Sequence, residues 1–371
     1  MTQDELRIQK NERKVDMGQG GWYVEWPTPK GLIRQEVPRY GIHDRTMAYP
    51  QVAMALLTNR ISINQPGQSV ALGTALDVVG SVMNHSCNPN VCLFFEGKEL
   101  RVRSLRTIEP GEEIMHCYTD VQCDVLLRQR RLEEDYFFVC SCQRCCQELE
   151  THRLRTSDDN DSLEEIRKKQ DELFTLMNNV VVEASASLGS VDVGSQLTAA
   201  RSLADAAFQE GQWPDDLEPM PSLLKTLGRI WQAQGQPLEG IKSSLRGSGN
   251  ATYRLGPRWC DDLFELIQVF TRVVVLQTDS PAFEDMTFPR SAELWDLFHG
   301  YLHELCLLAE SVYGLDTCYA RAIRSWHDNT LEFAEDPLPG TPEFQRRFRA
   351  SHAKLLTWAG VDSGRWIVDQ G

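Results

Sequence analysis

Apolar residues recur along this chain in two rhythms. Between residues 91 and 118 they keep strand spacing. Val91-Cys-Leu-Phe-Phe and Leu100-Arg-Val-Arg-Ser-Leu flank Glu96-Gly-Lys98, which predicts a β-hairpin with a half-exposed second strand. Glu109-Pro-Gly111 predicts a turn and Glu113–Tyr118 a further short strand. Residues 1–45 mix Gly, Pro and charge, and predict loops and short strands, with Gly18-Gln-Gly-Gly21 as a turn. Residues 47–60 predict a short helix with Val52, Ala53, Leu56 and Leu57 on one face. Residues 124–136 predict a heavily charged helix.

Beyond a polar boundary at 153–161 the spacing turns helical. Ser162 and Glu165 form a capping-box pattern for a helix carrying Leu163, Ile166, Leu173 and Leu176. A Gly/Ser-rich stretch at 184–195 follows. Helices are then expected over 197–210, 222–235, 258–277, 291–313, 317–332 and 343–358. Paired antiparallel helices of the tetratricopeptide kind would suit this array, although no fixed repeat period is visible. The expected class is α+β, with a β-rich first part and a mainly helical second part.

Length and charge narrow the function. At 371 residues the chain has room for two or three domains, and its 42% hydrophobic and 25% charged content suits a packed core. No apolar run reaches membrane-spanning length, and the polar start MTQDELRIQKNERK is no secretory signal. Cytoplasm, nucleus or both are the expected compartments. The net charge of −15 speaks against direct nucleic-acid binding, since basic residues cluster only briefly, at Arg128–Arg131 and Arg167–Lys169. It favours basic partners such as lysine-rich tails.

The eleven cysteines are expected to be reduced. Cys260, Cys306 and Cys318 sit in apolar helical patterns and read as small buried hydrophobes. Cys140, Cys142, Cys145 and Cys146 crowd too tightly for that. Cys-x-Cys-x2-Cys offers three thiolates from one short loop, and zinc takes four soft ligands. Cys87 is the first candidate for the fourth ligand and Cys146 the second. A reduced cluster without metal is the competing reading. Taken alone, Asn84-His-Ser-Cys-Asn-Pro-Asn90 reads as a capped turn, Tyr118 as a strand-end core residue, and His116 as a packing residue.

The three segments in order read differently. Asn-His-Ser-Cys-x-Pro-Asn, then Gly111-Glu-Glu-Ile-Met-His-Cys-Tyr118, then Cys140-Ser-Cys-Gln-Arg-Cys145 resemble the C-terminal half of a SET domain with its post-SET zinc loop. Arg131-Leu-Glu-Glu-Asp-Tyr-Phe-Phe138 and the helical tail make the chain similar to the SET-and-MYND (SMYD) subfamily. The resemblance implies a SET-type β fold with a pseudoknot around the Asn84 segment. It divides the chain into a divergent or shortened N-terminal segment (1–45), the C-terminal half of the SET domain (46–139) and a post-SET zinc loop (140–150). A linker with a helix (151–196) and a helical C-terminal domain (197–371) follow. The family's glycine-rich cofactor loop and MYND finger are not recognisable, the first cysteine being Cys87.

The implied activity is S-adenosylmethionine-dependent methylation of a lysine in a histone or another protein or peptide. Tyr118 matches the catalytic tyrosine and also borders the cofactor. Asn84 and His85 match residues that hold the cofactor's amino-acid and adenine ends. Asn64 matches a cofactor-contacting asparagine, and Phe138 the aromatic residue that packs on the adenine. Cys87, Cys140, Cys142 and Cys145 match ligands of a structural zinc. The contrasting expectation is a catalytically inactive, zinc-stapled adaptor whose helical region binds protein partners.

Overall fold

The computed structural model describes residues 13–16, 22–28, 31–37, 58–64, 71–155, 160–186, 213–249, 256–276, 287–332 and 337–362. The first part is built of small sheets. β1 (Arg13–Asp16), β2 (Trp22–Thr28) and β3 (Gly31–Val37) form an antiparallel sheet in sequence order. Gly18–Gly21 falls between β1 and β2, outside the described residues. β4 (Arg60–Asn64) pairs with β5 (Ala71–Leu76), and β7 (Val91–Glu96) with β8 (Glu99–Ser104), both antiparallel. The second pair is the expected hairpin, turning at Gly97 with φ 61°. Residues 47–57 of the expected short helix lie outside the described residues, and its last residue, Arg60, belongs to β4.

The strand expected at 113–118 shortens to β9 (Met115–His116), which pairs in parallel with β6 (Asn84–His85). The Glu109–Gly111 turn is present, closed by the Glu112 N–H donating to the Glu109 carbonyl at 3.0 Å. Helix α1 (Val78–Ser81) is capped by Asp77 and lies on β4 so closely that a Cβ on Gly80 would meet Ile61 Cδ1 at 2.4 Å.

Helix α2 (Val125–Tyr136) starts where expected. The Asp124 carboxylate accepts from the Leu126 and Leu127 N–H groups at 2.8 and 3.1 Å, a cap worth about 1 kcal/mol. It ends with Phe137 in the left-handed region at φ 63°. That reversal turns Phe138 back toward β6 and β9. The stretch 140–150 is a loop only in part, because helix α3 (Gln143–Arg155) begins inside it. Helix α4 (Asn160–Ala186) starts before Ser162, so Ser162 and Glu165 lie within the helix and not at its cap.

The second part is helical: α5 (Met220–Ala233), α6 (Pro237–Gly249), α7 (Pro257–Leu276), α8 (Ser291–Tyr313), α9 (Cys318–Leu331) and α10 (Pro342–Ala359). Helix α6 was not expected, since PLEGIKSSLRGSG has three glycines and little apolar periodicity. The expected helix 197–210 lies outside the described residues. Neighbours in sequence pack together from α5 to α9, and α8 also packs on α10. Cys260 and Cys306 are buried as expected, but Cys318 is exposed because it opens α9 at the surface.

Two cores join the parts. One buries α7, α8 and α10 residues with Cys92 and Phe94 of β7. Phe94 meets Tyr313 edge-on at 4.9 Å, and burying such a ring contributes about 1.5–3 kcal/mol. The other packs Cys87, Cys140 and Cys145 with apolar residues of α2, α4 and α5.

Candidate functional site

The two-residue pair β6–β9 sets the site, aligning Asn84 with Met115 and His85 with His116. Asn90 locks it. Fully buried, Asn90 accepts at Oδ1 from the Met115 N–H at 2.8 Å. Its Nδ2 donates to the Glu113 carbonyl at 2.8 Å and the Glu112 carboxylate at 3.1 Å. Ser86 Oγ accepts from the Asn88 N–H at 3.1 Å. The capped-turn reading of this run is therefore right for Ser86 and Asn90, and the turn they build carries Asn84 and His85.

Aromatic rings gather on Tyr118. Its ring lies 5.2 Å from His85, 4.9 Å from His116, 4.7 Å from Tyr136 and 6.4 Å from Phe138. The Tyr118 hydroxyl donates to the Met83 carbonyl at 2.6 Å, and its N–H donates to His85 Nδ1 at 3.0 Å. His85 Nε2 stands 3.1 Å from Cys87 Sγ. Both ring nitrogens of His85 thus face protein groups. Burial, aided by the charge of Arg128, lowers His85 to about 4. Burial lowers His116 to about 4 as well, so both rings are neutral at pH 7. Burial, then the nearby Glu113, raises the Tyr118 hydroxyl, which stays protonated.

Tyr118, His116, Tyr136 and Asn64 line a cleft of about 550 Å³. Gly256, Arg258, Asp261 and Tyr313 form its other wall, so the helical part completes it. Asn64 ends β4 after a break in register at Ile63/Asn64. Asn84 is exposed, its Nδ2 donating to Glu113 Oε1 at 2.6 Å. His85 and Phe138 reach Tyr118 by ring contact without lining the cleft, their rings 5.7 Å apart.

The cysteines converge behind this surface. The sulfurs of Cys87, Cys140, Cys142 and Cys145 all lie within 4.8 Å of one another. Cys87 Sγ is 3.4 Å from Cys145 Sγ and 4.0 Å from Cys140 Sγ. Around zinc with bonds of about 2.3 Å, tetrahedral geometry sets sulfurs about 3.8 Å apart, so these four can hold one ion. Cys146 points away, exposed, toward the Ser141 carbonyl. Of the two candidates for the fourth position, the structure brings Cys87 and leaves Cys146 out.

Sequence reading missed the side chains that position these sulfurs. Gln129 Nε2 donates to the Cys140 carbonyl at 2.5 Å, and Gln129 Oε1 accepts from the Cys140 N–H at 2.8 Å. Arg144 donates to the Cys87 carbonyl at 2.7 Å and the Val121 carbonyl at 2.8 Å. The available signal was a helix with a polar run leading directly into the cysteines.

A family model described as the SET domain matches residues 6–119. The chicken (Gallus gallus) N-lysine methyltransferase SMYD2 is 31% identical over 161 residues, 41% of this chain and 36% of that protein. The mouse (Mus musculus) histone-lysine N-methyltransferase SMYD3 is 36% identical over 104 residues, 28% of this chain and 24% of that one. The mouse protein-lysine N-methyltransferase SMYD4 is 40% identical over 86 residues, 23% and 11% of the two chains. The chain is a SET-domain, SMYD-like protein. Its SET match takes in β1–β3 and closes just after Tyr118, and the last three cysteines of the cluster lie beyond it. The matched stretch spans about a third of the chicken relative and less of the other two.

Proposed function

We propose that this chain is an S-adenosylmethionine-dependent protein-lysine N-methyltransferase acting on a histone or another lysine-bearing protein. The observation that carries the reading is the ring of aromatics and neutral imidazoles around Tyr118, at a cleft walled by both parts of the chain. The cofactor supplies, when bound, a methyl group on a sulfonium. Aromatic faces attract cations, and neutral histidines do not repel them. A lysine must lose its proton to attack, which costs about 4–5 kcal/mol at pH 7 from a pKa near 10.4. Burial among apolar groups beside a positive charge lowers that cost. Tyr118, whose hydroxyl keeps its proton, orients the amine through its oxygen and does not act as the base. The same oxygen can line a methyl group through weak C–H···O contacts.

The cofactor-holding roles go to Asn64, Asn84, His85, Tyr118 and Phe138. Asn84 offers its surface carboxamide to the amino-acid end, and Phe138 its ring to the adenine. With both nitrogens of its ring turned to protein, His85 contributes its backbone and ring face. Zinc on Cys87, Cys140, Cys142 and Cys145 would be structural, since four thiolates leave no position for water. A net charge of −15 favours basic substrates.

The test is calorimetric titration of S-adenosylmethionine into the zinc-loaded chain, with methyl transfer to a core-histone mixture and lysine peptides in parallel. Micromolar binding that Asn84→Ala abolishes is expected. Tyr118→Phe should cut turnover about 100-fold while binding persists. Absence of binding at millimolar cofactor, in folded and zinc-loaded protein, would leave the adaptor as the working reading.

A further inference from the structure

The turn at Gly111 sets two glutamates side by side ahead of β9, and their partners differ. Glu112 is clamped: its Oε1 accepts from Arg106 and, at 3.1 Å, from Asn90, and its Oε2 accepts from the Glu109 N–H at 3.1 Å. Glu113 is exposed, its backbone held from below by Asn90, whose Nδ2 donates to the Glu113 carbonyl at 2.8 Å. The Glu113 side chain reaches β6, where its Oε1 accepts from Asn84 Nδ2 at 2.6 Å. A carboxylate accepts hydrogen bonds and donates none, so it decides which end of an amide it faces. With Nδ2 turned to Glu113, the oxygen of the exposed Asn84 side chain is turned away from it. The surface beside β6 therefore offers an amide oxygen and a carboxylate, both of them acceptors. The charge of Glu113 is felt as far as Tyr118, whose hydroxyl it raises in addition to burial.

We propose that Glu113 is a positioning residue that holds the Asn84 oxygen outward, so that the cofactor's amino-acid end docks there by its ammonium and not by its carboxylate. This rests on the cofactor reading given above. An ammonium only donates and carries positive charge, so it meets an acceptor on Asn84 and an opposite charge on Glu113. A carboxylate brought to the same place meets acceptors alone and is repelled. An Asn84 amide free to turn over would serve either group. A Glu113 that only ties β6 to the segment before β9 would support every adenosyl ligand alike.

The experiment titrates S-adenosylhomocysteine and its desamino analogue, which keeps the carboxylate, into the zinc-loaded full chain by calorimetry, with fold followed by circular dichroism. The wild type is expected to bind the amino form more tightly. Glu113→Gln, which can turn either end of its own amide to Asn84, is expected to weaken the amino form about 10-fold and leave the desamino form unchanged. Adding Asn84→Asp to Glu113→Gln exchanges donor and acceptor while keeping both shapes and the charge, and should return most of the lost affinity. An equal loss for both ligands in Glu113→Gln overturns the proposal, as does no loss for either, or a double variant no better than the single one. If Glu113→Gln fails to fold, Glu113→Asp, which keeps the charge and draws the oxygen back from Asn84, is read by the same comparison. A folded wild type that binds neither ligand overturns the cofactor reading itself, and the role of Glu113 with it.

Discussion

Gln129→Leu isolates what the amide does for the cysteine loop. Gln129 is 1% exposed and Cys140 8%, and the two are joined by a pair of hydrogen bonds like a rung of a β-ladder. Leucine fills much of the same space but offers neither donor nor acceptor. The Cys140 N–H and carbonyl would then be buried without partners, at about 1–3 kcal/mol each. With some relief from water at the loop edge, the net loss is about 2–4 kcal/mol. That is a large share of the roughly 5–15 kcal/mol that holds a typical domain together. Urea unfolding of the zinc-loaded chain, followed by tryptophan fluorescence, should show a midpoint lower by about 1 M at unchanged slope, given slopes of about 1–3 kcal/mol per M. Gln129→Glu should be worse than leucine, because it sets a carboxylate against the Cys140 carbonyl. A loss below about 0.5 kcal/mol for Gln129→Leu, or a glutamate variant as stable as wild type, would refute the argument.

Three other outcomes follow from the packing. Gly300→Ala should destabilise by about 1–3 kcal/mol, since the new Cβ would lie 2.2 Å from Phe348 Cδ2, and Phe348→Leu in the same chain should recover part of the loss in thermal melts. Burial raises Glu218 to about 7 from 4.5, so between those values the folded chain keeps a proton that the unfolded chain has lost, and stability falls as pH rises through that window. Glu218→Gln should therefore lose up to about 3 kcal/mol less than wild type between pH 5 and pH 8, and parallel pH profiles for the two would count against the raised value. In the zinc-loaded chain iodoacetamide should label the exposed Cys146 and Cys318 first and spare Cys87, Cys140, Cys142 and Cys145, which peptide mass mapping reads directly.

The hairpin, the turn at Gly111 and most of the helices were legible because a single period or a single glycine decides each. The cysteine cluster was legible from its spacing, and the structure brings Cys87 to Cys140, Cys142 and Cys145, all four sulfurs lying within 4.8 Å of one another. What stayed hidden is tertiary. Arg128 and Gln129 sit in a helix whose composition reads as solvated, yet both are buried, because their partners are a backbone carbonyl, a thiol and a loop peptide bond, which leave no periodic trace. Helix α6 escaped for the opposite reason. Its glycines allow close contact: a Cβ on Gly240 would lie 3.0 Å from the Gly228 carbonyl of α5, so glycine marks helix packing here and not a break. Cys318 looked apolar by spacing alone, but spacing does not say that a residue is the first of its helix.

Asp124 shows why the two parts of the chain cannot be treated as separate modules. One carboxylate oxygen caps α2, which carries Arg128 and Gln129 and delivers Phe138. The other accepts from Gln170 Nε2 of α4 at 3.2 Å and from the Glu218 N–H ahead of α5 at 3.0 Å. Farther along, the half-buried Lys225 of α5 bridges the buried Asp262 of α7 at 2.8 Å and Gln122 of the loop before α2 at 3.2 Å. Each contact satisfies a polar group that burial would otherwise penalise, so the helical part supplies partners that the site region lacks by itself. The cleft has the same composite origin, with Asn64 and Tyr118 on one wall and Arg258 and Asp261 on the other. A change in the helical packing therefore reaches the cleft through fixed hydrogen bonds at Asp124 and Lys225, and the positions of Phe138 and the cysteines depend on helices that carry none of the sequence motifs.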